Sequence, residues 1–93
     1  MATNAVGNLE AVDEPSNNET VVFANISEHG ACLIAGHEWG AGIQVIVSDS
    51  LTNLRTKAEV IYCMPHTSRQ FAVGLRFGMP HALAAHLSDQ RAI

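Results

Sequence analysis

Asn25, Ser27 and Gly30 form the pattern Asn-x-Ser-x-x-Gly between two short apolar runs, residues 21–26 and 31–35. Alternate side chains of a strand share a face, so Asn25 and Ser27 are expected to project to the same side. Gly30 is expected to supply the positive φ that a tight reversal often takes. Two small polar groups side by side at a sheet edge or barrel rim, just before a turn, can hydrogen-bond a planar ligand. The same residue types also close turns through their own backbone, and local sequence supports that plainer reading as well. The glycine-rich stretch 36–42 lacks the Gly-Lys-Ser/Thr ending of a phosphate loop. Its Trp39 reads as a lid folded back on the core, with a stacking surface for a ligand base or a partner as the sharper alternative.

Other chemistries are poorly served. Five histidines and two cysteines invite a metal. None stands at Cys-x-x-Cys or His-x-x-x-His spacing, and His81 and His86, five apart, do not come together on a helix, so no metal site is expected. Ser27, Glu28 and His29 adjoin in sequence, but neighbours on a strand face opposite ways. There is no Gly-x-Ser-x-Gly elbow and no support for paired catalytic carboxylates. No catalytic residue is identified, and the chain is not read as an enzyme. Cys32 and Cys63 sit inside strand-like runs and read as reduced, packed thiols.

The elements that must position these residues are mostly strands. After a small, polar start at residues 1–8, a first strand is expected over 9–12. Pro15, Ser16, Asn17 and Asn18 give residues 13–19 loop composition. Strands follow over 20–26 and 31–35. Ile43, Val45 and Val47 then alternate with Gln44, Ile46 and Ser48 as a half-buried strand, closed by a turn at 49–53. Ala58, Val60, Tyr62 and Met64 form one face of the next strand, and residues 65–68 read as a hairpin loop. Phe71, Val73, Leu75 and Phe77 alternate with Gln70, Ala72, Gly74 and Arg76, the cleanest period of two in the chain. After Gly78 the pattern changes. Pro80 suits a first helical turn, Leu83 and Leu87 share a face with Met79 near it, and a short helix is expected over about 80–90. Many strands with tight turns and one trailing helix predict an all-β fold, a small antiparallel barrel with the helix against an opening. Val45, Val47, Val60, Tyr62, Val73, Leu75 and Phe77 are the expected interior.

The stretch 25–30 resembles the PilZ domain, the bacterial module that commonly binds cyclic di-GMP. The family pattern is Asp/Asn-x-Ser-x-x-Gly, filled here by Asn25, Ser27 and Gly30. Gly42-Ile43-Gln44-Val45 looks like the start of the family's third strand, and Glu59-Val60-Ile61-Tyr62 looks like its fourth core strand. Val73-Gly74-Leu75-Arg76-Phe77 is similar to its closing Val-Gly-hydrophobic-x-Phe strand. The likeness runs from about residue 21 to residue 77. It implies a six-stranded antiparallel barrel at about 9–78 within a single domain spanning 1–93. It also implies a ligand site in which Asn25 and Ser27 meet the bases of cyclic di-GMP and Gly30 shapes the turn.

Ligand-binding members of the family carry Arg-x-x-x-Arg ahead of the first strand. Here no Arg or Lys precedes Arg55. Guanine presents O6 and N7 as paired acceptors, which an arginine fork meets bidentately, and phosphates also favour Arg. A charge-assisted hydrogen bond is worth ~1.5–3 kcal/mol, and each ~1.4 kcal/mol is tenfold in affinity. Without the arginine pair, cyclic di-GMP is expected to bind weakly or not at all. Arg76 and Arg69 are the residues that could substitute, with Trp39 as an accessory stacking group. The alternative is a nucleotide-independent protein-interaction adaptor of the same fold, with an unidentified protein partner. A natural chain that begins upstream of Met1 and carries the arginines there is a third reading.

Composition bounds these readings. Ninety-three residues make one small domain, and 47% hydrophobic content supports a packed core. Only 15% of residues are charged, which leaves apolar surface for a partner. The net charge is −4, with Glu10, Asp13, Glu14, Glu19 and Glu28 early and Arg55, Lys57, Arg69, Arg76 and Arg91 late. An acidic chain without a basic cluster is a poor ligand for DNA, RNA or anionic lipid. No apolar run reaches the length of a membrane span, so no membrane insertion is expected. The start does not read as a signal peptide, and a cytoplasmic location is expected.

Overall fold

The computed structural model describes residues 5–50 and 55–78. Six strands follow in order: β1 (Val6–Ala11), β2 (Asn18–Ile26), β3 (Gly30–Ala35), β4 (Gln44–Asp49), β5 (Arg55–Thr67) and β6 (Gln70–Phe77). All pairings are antiparallel, and the order β1-β2-β3-β6-β5-β4 closes on itself through β4 and β1. The all-β barrel read from the alternating apolar positions is therefore the fold. Closure gives every strand a neighbour on each side, which removes the two free edge strands of an open sheet.

The period of two sets the interior. Leu9, Val21, Phe23, Leu33, Val45, Val47, Val60, Val73 and Leu75 all point inward and are buried. Neighbouring strands run in opposite directions, so the connections alternate between two ends. The β1–β2, β3–β4 and β5–β6 connections lie at one end, the upper. The β2–β3 and β4–β5 connections lie at the lower end, with the start of β1 and the finish of β6.

Trp39, only 2% exposed, belongs to the upper end. Its indole Nε1–H donates to Glu19 Oε1 at 2.8 Å, and its backbone N–H donates to Cys63 Sγ at 3.3 Å. Glu19 lies opposite Leu9 in the inward-facing row. Its carboxylate also accepts from the backbone N–H of Gly36 at 2.8 Å and of His37 at 3.3 Å, and stands 2.9 Å from His37 Nδ1. One carboxylate thus folds the 36–39 stretch over the upper opening and seats the indole there.

The strands depart from strict alternation at three places, two of which bear on the interior. On β2, Phe23 pairs with Leu33 and Asn25 with Cys32, so Ala24 is an extra residue. On β5, Val60 pairs with Leu75 and Tyr62 with Gly74, so Ile61 is the extra one. A bulge of this kind re-aims every side chain beyond it. It corrects the expected interior: Val45, Val47, Val60, Val73, Leu75 and Phe77 are buried, whereas Tyr62 lies on the outer surface, 39% exposed. Met64, expected on the same face as Val60, is 50% exposed for the same reason.

Boundaries shift as well. β1 begins at Val6 and β2 at Asn18, both earlier than the apolar pattern indicates. β5 continues through Pro65 and His66 to Thr67, which leaves only Ser68 and Arg69 as the hairpin turn. Pro65 is tolerated there because the ladder is irregular between Pro65 and Thr67. The helix expected over about 80–90 lies outside the described residues.

Candidate ligand site on the outer face

The Ala24 bulge turns Asn25 outward while Phe23 and Ile26 stay inside. Asn25 then heads a row in register across four strands: Asn25 opposite Cys32, Cys32 opposite Gly74, Gly74 opposite Tyr62. Directly paired residues of an antiparallel ladder share a face, so the row runs over the outer surface of β2, β3, β6 and β5.

Ser27 reaches the same place by a different route from the one alternation suggests. β2 ends at Ile26, and Ser27 opens the turn. Its N–H donates to the Gly30 carbonyl at 2.8 Å, and its hydroxyl donates to the same oxygen at 3.3 Å. The serine therefore closes the turn through backbone, and Phe77 N–H pins the turn to β6 by donating to His29 O at 2.8 Å. Gly30 does not have the positive φ expected of it; among the described glycines only Gly42 does, at 92°. Gly30 is needed for a different reason. A methyl group there would run into the Leu75 carbonyl of the neighbouring strand.

Asn25, Ser27 and Gly30 line one shallow concavity of about 280 Å³, together with Ala31, Cys32, Ile61, Tyr62, Gly74 and Leu75. Tyr62 shapes it. The ring lies across Gly74, where any Cβ would collide with ring carbons Cε2 and Cζ. Its hydroxyl donates to Cys32 Sγ at 3.7 Å. That hydrogen bond, then partial burial, holds the phenol pKa above its ordinary 10.0. The glycine and the thiol together pin the ring flat on β6. Strict alternation assigns Tyr62 to the core and gives no link between Cys32 and the site. The available signal is Gly74 in mid-strand, where a missing side chain often marks the close approach of another group.

The basic residues are placed elsewhere. Arg76 sits on the next outward row, Gly30–Arg76–Glu59. Its guanidinium Nη2 donates to Glu59 Oε1 at 2.7 Å, which draws it toward β5, on the side away from Asn25 on β2. Arg69 occupies the β5–β6 turn and Trp39 the buried lid, both at the upper end, opposite the 27–30 turn. None of the three lines the concavity, and no residue that does line it carries a charge. The surface can offer hydrogen bonds from an amide and an aromatic face. It offers nothing that balances a phosphate.

Among the described residues, no three His, Cys, Asp or Glu side chains come together in a way that could hold a metal ion. No helix among them is long and apolar enough to cross a membrane. The fold and the site define a small closed antiparallel barrel with an uncharged concavity on its wall. Compared with protein-family models, with curated proteins and with solved structures, the chain matches none.

Proposed function

We propose that the chain is a bacterial PilZ-like signalling module whose cyclic di-GMP site is degenerate, acting in the cytoplasm by binding and not by catalysis. The observation that supports this reading most is the gathering of Asn25, Ser27 and Gly30 on one concavity walled by the Tyr62 ring. The sequence pattern those residues belong to resembles the family's motif. In this reading the Asn25 amide meets a base edge, and Ser27 and Gly30 hold the turn that shapes the site. The phosphates and the guanine O6/N7 edge find no arginine. β1 starts at the lower end, where Ala5 O accepts from Phe23 N–H, so a segment ahead of β1 would approach the 27–30 turn from the correct end. Residues 5–50 contain no Arg or Lys that could serve there.

Isothermal titration calorimetry with cyclic di-GMP tests this. The expected result is no saturable heat at micromolar ligand. A dissociation constant in the low micromolar range, lost in Asn25→Ala, would show that the site is complete and not degenerate.

The second reading is a nucleotide-independent adaptor of the same fold. It is favoured by the uncharged lining of the concavity and by the engagement of Arg76 with Glu59. In that case Asn25 and Ser27 serve the turn and a protein contact alone.

A further inference from the structure

We propose that the outer face of β2, β3, β6 and β5 is a homodimer surface, on which a second copy of this chain packs face to face and covers the concavity, so that dimer and concavity ligand exclude each other. A row of outward positions is linked there by direct pairing: Val6 with Val22, Val22 with Ile34, Ile34 with Ala72, Ala72 with Met64. Every member is apolar, and Val6, Val22 and Met64 are among the exposed large hydrophobics. The bulged Ile61 and the ring of Tyr62 extend the same surface downward. A barrel wall facing water normally alternates apolar-in with polar-out. On β2, β3, β6 and β5 that outward row has no polar member, which is more than the fold requires, and contiguous apolar surface of this kind marks an interaction site.

The charges at the two ends of this face identify the occupant. Arg69 stands at the upper end, in the β5–β6 turn, and Glu28 at the lower end, in the β2–β3 turn. Neither charge has a partner among the described residues. They lie diagonally across the apolar surface from each other. A two-fold axis in the plane of the face, at right angles to that diagonal, exchanges the two positions. Each copy's Arg69 then meets Glu28 of the other copy, and the apolar rows cover each other. This is the self-complementarity that a two-fold interface demands. Four strands at ~4.8 Å spacing and about six residues at ~3.3 Å unroll to roughly 400 Å², and the curvature of the closed barrel lowers what one partner covers. That is below the ~800 Å² per partner of a standard interface, so the dimer exchanges and is not permanent.

Sedimentation velocity across a concentration series, from micromolar to near-millimolar protein, tests the proposal. The expected result is a concentration-dependent monomer–dimer equilibrium. Met64→Glu, at an exposed site, should weaken it at least tenfold while circular dichroism and melting stay as in the wild type. Arg69→Glu and Glu28→Arg should each weaken the dimer, and the double variant should recover it. A wild-type chain that stays monomeric throughout overturns the proposal and leaves the face to another protein or to another segment of the chain. A dimer indifferent to Met64→Glu overturns it too. Loss of the dimer in Met64→Glu with no response to either charge variant overturns the two-fold arrangement.

Discussion

Tyr62 shows how a single residue's environment becomes measurable. Its hydroxyl is held by Cys32 Sγ, and that bond, followed by partial burial, raises the phenol pKa above 10.0. A proton held more tightly in the folded state stabilises the fold fully below the unfolded pKa, and that contribution disappears as pH rises through the folded value. The stability of the wild type should therefore fall more steeply than that of Tyr62→Phe as pH climbs beyond about 10. Denaturant titrations of both proteins between neutral and alkaline pH check it; parallel profiles would mean the hydrogen bond contributes nothing. Glu19 is a second case. In the sequence it is one of several acidic residues before an apolar run, and nothing there signals a carboxylate only 11% exposed. Its position in register with inward-facing Leu9 makes it the acceptor for the Trp39 indole and for two backbone amides. Glu19→Ala leaves the buried Trp39 indole N–H without its acceptor, at about 1–3 kcal/mol, while the exposed Gly36 and His37 amides turn to water. Melting should fall by ~4–8 °C per kcal/mol in a domain this small.

At the scale of the element, the strands were legible wherever alternation is uninterrupted. β6 reads directly as Phe71, Val73, Leu75 and Phe77, and β4 as Val45 and Val47, because every second residue of each packs toward the interior. β5 was legible only as far as Val60. Beyond it Ile61 inserts an unpaired residue, and a bulge leaves no mark on hydrophobicity when the inserted residue is itself apolar. The Ala24 bulge on β2 is equally silent, and it decides the site, since it turns Asn25 outward and leaves Ser27 to the turn. The three motif residues therefore meet on one concavity, by a geometry that is not the one alternation implies. The phase of β5 has a direct test. Val60→Ala removes buried methyl groups and should cost about 2 kcal/mol, transfer and cavity together. Met64→Ala, at an exposed position that strict alternation would make core, should stay within about 0.5 kcal/mol. Equal costs in chemical denaturation would place both side chains inside and contradict the bulge.

For the whole molecule, closure of six strands fixes which parts can cooperate. The 27–30 turn, the start of β1 and the finish of β6 share the lower end, while Trp39 and Arg69 are held at the upper end. Neither of these two can serve a ligand beside Asn25 without unfolding the connection that carries it. Arg76 is near enough in register but is committed to Glu59. The uncharged concavity thus follows from the topology together with the lack of any Arg or Lys before Arg55. Cyclic di-GMP carries two phosphates and would approach a chain of net charge −4. A ligand that binds only the folded state at ~100 times its dissociation constant adds about 2.7 kcal/mol. In a domain of this size that is a rise in melting temperature on the order of 10 °C. The unaltered chain should show almost no rise at micromolar nucleotide. Introducing Arg-x-x-x-Arg ahead of β1, at the end where the turn lies, should produce one. Adding Asn25→Ala and Ser27→Ala to that variant should remove the rise again, while its melting temperature without nucleotide reports any damage to the turn. A variant that gains the arginines and still shows no shift would mean that Asn25 and Ser27 are not a nucleotide surface. A wild-type chain that already shows the full shift would require Arg76 to leave Glu59, and Glu59→Gln should then strengthen binding further.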